Sequence, residues 1–295
     1  MSSILSQVQT ASQLYEQQRK AFLTTGCSSI DICLKGGIPL HGISEIVGEA
    51  SAGKTQLAIQ LAINAILPCS ERGVNGKVLY IETESSFPYS RLVEMSTYFC
   101  KKHPAYSVNS ITENIYVESV RTFEALQSLI NSLENRLQSP GVGDIKLVII
   151  DSIASLFRGE TSLDYLRRAE VFRGLYMRMN TYCQTLDLTF VITNQITSFY
   201  GSKTEFLSKR AGNAVVPSLG PTITQFTHHR YMLCRRNETY PAPSIADLDE
   251  FTTVCGDNEK GIPSNQLRDF YILFSPITGC RRTVFTVTVD GVLAT

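Results

Sequence analysis

The sequence predicts an α/β fold: a mostly parallel central sheet flanked by helices and closed at its C-terminal end by antiparallel strands. Three observations lead there. Short β-branched runs alternate with segments of helical period from Thr24 onward. One run enters a helix through the glycine-containing stretch Gly48-Glu49-Ala50-Ser51-Ala52-Gly53-Lys54-Thr55. The last three runs follow one another with no helix between them.

The β-branched runs are 43–47, 78–82, 115–120, 146–151 and 188–193, and helical segments lie near 54–67, 88–102, 122–137 and 163–186. The third helix is the clearest, with Leu126, Leu129, Ile130, Leu133 and Leu137 on one face. Pro88 suits the first turn of the second, where no N–H is needed. Strands alternating with helices require right-handed crossovers, which bury a parallel sheet on both faces. Runs 230–235, 269–275 and 283–290 read as an antiparallel extension of that sheet. Residues 237–268, rich in Pro, Asn and Asp with six acids against two bases, read as a flexible insertion. Residues 1–22 are polar, with apolar positions at Val8, Ala11, Leu14 and Tyr15, too few to form a core. The chain thus divides into an arm, 1–22, and one domain, 23–295.

Composition narrows the class. A length of 295 residues with 43% hydrophobic content is that of an ordinary soluble globular protein. The formal net charge is +0, which excludes a global basic field, so nucleic-acid contact must come from local patches or a partner. The eight cysteines form no C-x-x-C pair and the four histidines have no zinc spacing, the usage of a reduced intracellular protein. The start is polar after Met1, so no signal peptide is read there. The longest apolar stretch, Leu57–Leu67, is broken by Gln60 and Asn64 and reads as a core helix, not a membrane span.

Residues 48–55 fit G-x-x-x-x-G-K-[ST] in the strand-to-helix setting that the motif requires. Backbone N–H groups of such a loop curl around phosphates, aided by the positive end of the next helix. Lys54 would reach the terminal phosphates of ATP, and the Thr55 hydroxyl would bind Mg2+. Leu147-Val148-Ile149-Ile150-Asp151 is a buried strand ending in a carboxylate, and Asp151 suits the Mg2+ side of the same site. Glu82 and Glu84 leave the strand 78–82 beside it. Glu84, past the strand end where ligands bind in open α/β sheets, is favoured as general base. Asn194-Gln195 ends another strand, where an amide either senses the terminal phosphate or simply opens a polar loop.

The stretches TTG…GGIPLHGISEIVGEASAGKTQLA, VLYIETESSFPYSRL, LVIIDSIASLFR, VITNQ and FTVTVDGV resemble the eukaryotic RecA-like strand-exchange recombinases over Ser2 to Val292. Within that family, SSIL, GGIPLHGISEI and TESSFP resemble the X-ray repair cross-complementing branch of the paralogues. The resemblance implies a RecA-like ATPase core, with Gly48, Gly53, Lys54 and Thr55 in the phosphate loop, Glu84 as catalytic glutamate and Asp151 as metal-side aspartate. It makes Gln195 the nucleotide-sensing glutamine and Arg91 the arginine that stacks on adenine. It assigns residues 158–170 and 196–215 to two DNA-binding loops, with Arg158, Arg167, Arg168, Lys203, Lys209 and Arg210 as phosphate contacts. Arg173 and Arg178 read as a solvated helix face, while Tyr165, Phe199, Tyr200 and Phe206 either stack on bases or pack the loops.

The same resemblance places Val8 and Ala11 at a polymerisation motif that enters a neighbour's ATPase domain. It implies a weak DNA-dependent ATPase acting in homologous-recombination repair of double-strand breaks and at replication forks, in the nucleus and also the cytoplasm. The implied partners are the paralogue lettered C, as a heterodimer, the strand-exchange recombinase, and single-stranded or branched DNA, with no membrane. Three departures stand out. The small helical domain that precedes the arm in relatives is lacking here, Val8 replaces a Phe in the motif, and Phe274 stands where relatives place the acid that caps a neighbour's ATP. Two other classes use the phosphate loop: a scaffold that binds ATP without turnover, and a small-molecule kinase, which needs an arginine-rich lid and an acceptor pocket.

Overall fold

The computed structural model describes residues 10–12, 22–84, 86–139, 144–157, 165–199, 209–210, 213–217, 226–236, 252–253 and 266–295. For 165–169, 197–199, 209–210 and 213–217 it describes backbone alone. A short ladder of β1 (Phe22–Leu23) and β2 (Ile38–Pro39) flanks helix α1 (Ser28–Cys33). The parallel strands are β3 (Ile43–Gly48), β4 (Lys77–Glu82), β5 (Ile115–Ser119), β6 (Ile145–Asp151), β7 (Thr189–Phe199) and β10 (His229–Arg235). The helices between them are α2 (Lys54–Asn64), α3 (Tyr89–Lys102), α4 (Val108–Thr112), α5 (Phe123–Leu137) and α6 (Tyr165–Thr185).

Among the described residues the main path of the sheet runs β11-β13-β12-β10-β3-β7-β6-β4-β5. Here β11 is Thr252–Thr253, β12 Leu267–Phe274 and β13 Arg281–Thr288, and β14 (Gly291–Ala294) pairs with β13. β10 is parallel to β3 and antiparallel to β12, so the sheet changes character at that strand.

Alternate residues of each strand enter opposite layers, as the period of two requires. Leu147 and Ile149 of β6 join one apolar cluster with Leu57, Leu61, Leu92 and Phe99 of α2 and α3. Val148 and Ile150 join the other, with Leu126, Ile130, Phe172 and Tyr176 of α5 and α6. Leu137 packs on that second cluster as the helical spacing predicts. Local chemistry fixes the ends: Thr122 caps α5, its hydroxyl accepting the Ala125 N–H at 3.2 Å, and Lys101 and Lys102 occupy the last turn of α3.

Several elements differ from the sequence reading. β7 continues to Phe199, because its second half pairs with β9 (Asn213–Pro217), which also pairs with β8 (Lys209–Arg210). Part of the stretch expected as the second loop, 196–215, is therefore an antiparallel ribbon. α6 begins at Tyr165, so 165–170 of the expected first loop is helical. The run 283–290 ends in β13 at Thr288, with β14 following only from Gly291, and the insertion 237–268 includes β11, Gln266 and the start of β12. The rest of that insertion lies outside the described residues.

Two polar links tie the layers together. Glu45 of β3, wholly buried, accepts Nε of Arg230 at 2.7 Å from β10 and Nδ2 of Asn194 at 2.7 Å from β7. Gln60 of α2 donates to the carbonyls of Thr25 at 2.7 Å and Val292 at 2.8 Å, and accepts the Val292 N–H at 2.7 Å. Gly291, at φ 122°, brings its backbone so close that a Cβ would sit 2.4 Å from Oε1 of Gln60.

His228 and His229 open β10. His228 Nδ1 accepts the Ile43 N–H at 3.1 Å, and burial, with His228 adjacent, pushes the His229 pKa down to about 4. The folded chain therefore keeps His229 neutral where an unfolded one, near pH 6.5, takes up a proton. Stability contributed by this group is complete above pH 6.5 and falls by up to about 3 kcal/mol as the pH drops toward 4. Urea midpoints at pH 7 and 4.5 should fall less steeply in His229→Gln than in the wild type; equal slopes would refute the assignment.

Candidate nucleotide site

β3 delivers the glycine-containing loop to the carboxyl edge of the sheet. Gly48 packs on β10, where a Cβ would lie 2.5 Å from the Leu233 carbonyl oxygen. Gly53, at φ 104°, occupies the left-handed region and caps α2. The open N–H groups of α2 thus face the loop, with the positive end of the helix behind them. Lys54 arches back over the loop, its Nζ donating to the carbonyls of Gly48 and Glu49, both at 2.8 Å. Ser51 also has positive φ, and Ala52 is buried beneath the loop. Glu49 turns toward the extension, accepting the Arg235 N–H at 2.9 Å.

Thr55 lines a cleft with Tyr80, Glu82, Glu84, Phe87 and Asp151. Asp151 accepts the Tyr80 hydroxyl at 2.7 Å and the Thr193 hydroxyl, which aims the carboxylate from two sides. Burial and the adjacent Asp151 push the Tyr80 pKa well up, so Tyr80 remains a donor. A threonine hydroxyl and a carboxylate offer hard oxygen donors of the kind Mg2+ takes alongside phosphates. The residues present fit that ion and a nucleotide.

Across the cleft Gln195 Nε2 donates to Glu84 Oε1 at 2.9 Å. The neighbouring amide has a different position: Asn194 is buried and bonded to Glu45, away from the cleft. Glu82 points to β5. Its carboxylate receives Nη1 and Nη2 of Arg121 at 2.7 and 2.8 Å, and the Ser119 hydroxyl. Burial alone would raise the Glu82 pKa, but the bonds from Arg121 and Ser119 outweigh it and hold the carboxyl below its ordinary value. Arg91 of α3 sits beside the loop helix, donating to Gln56 Oε1 at 2.6 Å, to Glu94, and to the carbonyls of Thr288 and Val289.

The structure therefore gathers residues 48–55, Glu84, Arg91, Asp151 and Gln195 at one edge. Sequence reasoning missed Tyr80, Thr193 and Arg121, which orient the carboxylates. Tyr80 shares a strand face with Glu82, but no spacing marks the distant Thr193 or Arg121. Val8, Arg158 and Lys203 lie outside the described residues, as do the side chains of Arg167, Arg168, Lys209 and Arg210. Ala11 is exposed.

Comparison with known proteins bears on the family and the fold. The model of the family described as Rad51 matches residues 16–239. The chain is 30% identical over 288 residues to the DNA repair protein XRCC3 homolog of Arabidopsis thaliana, covering 92% of each. It is 28% identical to DNA repair protein XRCC3 of Mus musculus, over 97% of this chain and 80% of the mouse protein. Against DNA repair protein RAD51 homolog 2 of Mus musculus it is 35% identical, over 65% of this chain and 57% of the other. The two XRCC3 proteins are of the branch toward which SSIL, GGIPLHGISEI and TESSFP point.

The loop geometry carries a test. Lys54 supplies the side-chain charge over the phosphate cradle, and a hydrogen bond to a charged group contributes about 1.5–3 kcal/mol. Lys54→Ala should weaken ATP binding roughly 10–100-fold by calorimetry. Unchanged affinity would remove Lys54 from the site.

Proposed function

The chain belongs to the Rad51 family, and from that premise we propose that it is an ATP-binding DNA-repair protein acting in homologous recombination. In this reading ATP and Mg2+ at the cleft gate assembly with a partner and contact with DNA. The partner is another recombinase paralogue, the one lettered C, with the strand-exchange recombinase as a further contact. The setting is repair of double-strand breaks and maintenance of forks, chiefly in the nucleus.

One observation carries the reading: the Glu84–Gln195 contact, at 2.9 Å, across the cleft that Thr55 and Asp151 also line. A carboxylate just past β4 and an amide on β7 meet there. In this reading Glu84, accepting one amide hydrogen from Gln195, takes a proton from an attacking water. Lys54 would balance charge on the terminal phosphates, and Mg2+, held by Thr55 and Asp151, would supply further charge neutralisation. Glu82 is a poor alternative base, since Arg121 occupies both of its oxygens. Gln195 lies on β7, whose second half, 196–199, pairs with β9, so a change at the cleft is carried along one strand into the expected DNA-contacting stretch. The consequence is a slow, DNA-responsive ATPase rather than a nucleotide-binding scaffold without turnover.

Glu84→Gln keeps the shape and the bond to Gln195 but removes the base. ATP should still bind, while single-turnover hydrolysis with DNA falls roughly 10²–10⁴-fold. A rate equal to the wild type would favour the scaffold or another base. The arm supplies a separate test. Apolar side chains such as Val8 and Ala11 gain at most about 1.5–3 kcal/mol each when buried against a neighbour. Replacing both with Glu should weaken the partner complex at least tenfold in a dilution series; undiminished co-purification would make the arm a linker.

A further inference from the structure

The cleft contains one more acid than the proposed reaction uses. Glu82, Glu84 and Asp151 all line it with Thr55, and Glu82 and Asp151 are register partners on the adjacent parallel strands β4 and β6. A nucleoside triphosphate brings several negative charges to such a place. Carboxylates facing it repel the phosphates, and in a partly dry cleft that repulsion is weakly screened. Lys54 is the basic side chain of the phosphate loop.

The geometry shows how this excess is handled. Arg121 follows β5 and lays its guanidinium along Glu82, with Nη1 to Oε2 at 2.7 Å and Nη2 to Oε1 at 2.8 Å. Ser119 adds its hydroxyl to Oε1 from the same strand end. The two side chains differ in setting: that of Glu82 is 6% exposed, that of Arg121 51%. The half-exposed arginine is well solvated without the pair, so the contact serves the buried carboxylate rather than the guanidinium. The planar fork matches both carboxylate oxygens at once, which an ammonium cannot do.

We propose that Arg121 is a positioning residue of the nucleotide site, acting through Glu82: it neutralises that carboxylate and turns it to β5, keeping its charge from the phosphates. Asp151 is then left for Mg2+ and Glu84 for water. The proposal rests on the nucleotide reading above. It predicts opposite signs for the two partners. Removing Arg121 adds one net negative charge to the cleft, and removing the charge of Glu82 leaves one net positive.

Affinities for ATP should be measured by calorimetry in EDTA and in Mg2+. Without metal, Arg121→Gln should bind about tenfold more weakly than the wild type, a change equivalent to one pKa unit of charge interaction. Glu82→Gln should bind more tightly than the wild type under the same conditions. The double variant should return to within about threefold of it, and Arg121→Lys should lie between wild type and Arg121→Gln. Mg2+ should compress these differences, because it offsets the added charge. Weakening in both single variants, with no recovery in the double, would make the pair a structural link and overturn the proposal. So would single variants indistinguishable from the wild type. Wild-type protein that binds no ATP would overturn the nucleotide reading and this inference with it, whereas loss confined to the variants bears on the pair alone.

Discussion

The buried ion pair between Glu45 and Arg230 is the constraint on which the rest of the molecule depends. A carboxylate with no exposure, in the middle of a sheet, is tolerable only when opposed by charge and supplied with donors. Both are provided by the neighbouring strands, Arg230 from β10 and Asn194 from β7. β3 is thereby held on both sides within the strand that leads into the phosphate loop. Arg230 and Glu45 are register partners of the parallel strands β10 and β3, and the antiparallel extension grows from the other side of β10. Breaking the pair by removing one partner would strand a charge in the core, so the order of these strands is specified as well as stabilised.

The cleft is built by the same economy. Each carboxylate at the edge is aimed by groups from elsewhere in the sheet: Asp151 by Tyr80 of β4 and Thr193 of β7, Glu82 by Ser119 of β5 and Arg121 just past it, and Glu84 by Gln195 of β7, two strands away. Because the strands that hold these groups are parallel, their side chains arrive at a common height along the sheet edge. The loop itself needs little from its neighbours beyond room, which Gly48 supplies where β10 comes close.

Much of this was legible in the sequence, and what was not has a physical reason. β4 and β6 are runs buried on both faces, and α5 shows its stripe of leucines, so local pattern sufficed. The phosphate loop is contiguous and its glycines are needed for its own backbone. α1 and α4, of six and five residues, are too short to display a helical period. The run read from sequence ends at 193, whereas β7 goes on to Phe199 because 196–199 pair with β9, a partner some fifteen to twenty residues onward that no local pattern marks. Asn194 looked like a member of the site because it adjoins Gln195. In a strand successive side chains face opposite ways, and so one amide reaches the core and the other the cleft. Glu45 and Arg230, 185 residues apart, carry no local mark of each other.

The Gln60 side chain ties together segments that are remote along the chain. Its single amide holds Thr25, near the start of the domain, and Val292, in β14, against the helix that begins at the phosphate loop. Three segments thereby share one cooperative unit, and neither the early segment nor the late strand can fray without releasing an amide buried on α2. Slow exchange of the Val292 N–H would report the integrity of the loop helix from a distance. These edge segments and the helix that leaves the phosphate loop would loosen together, as one event.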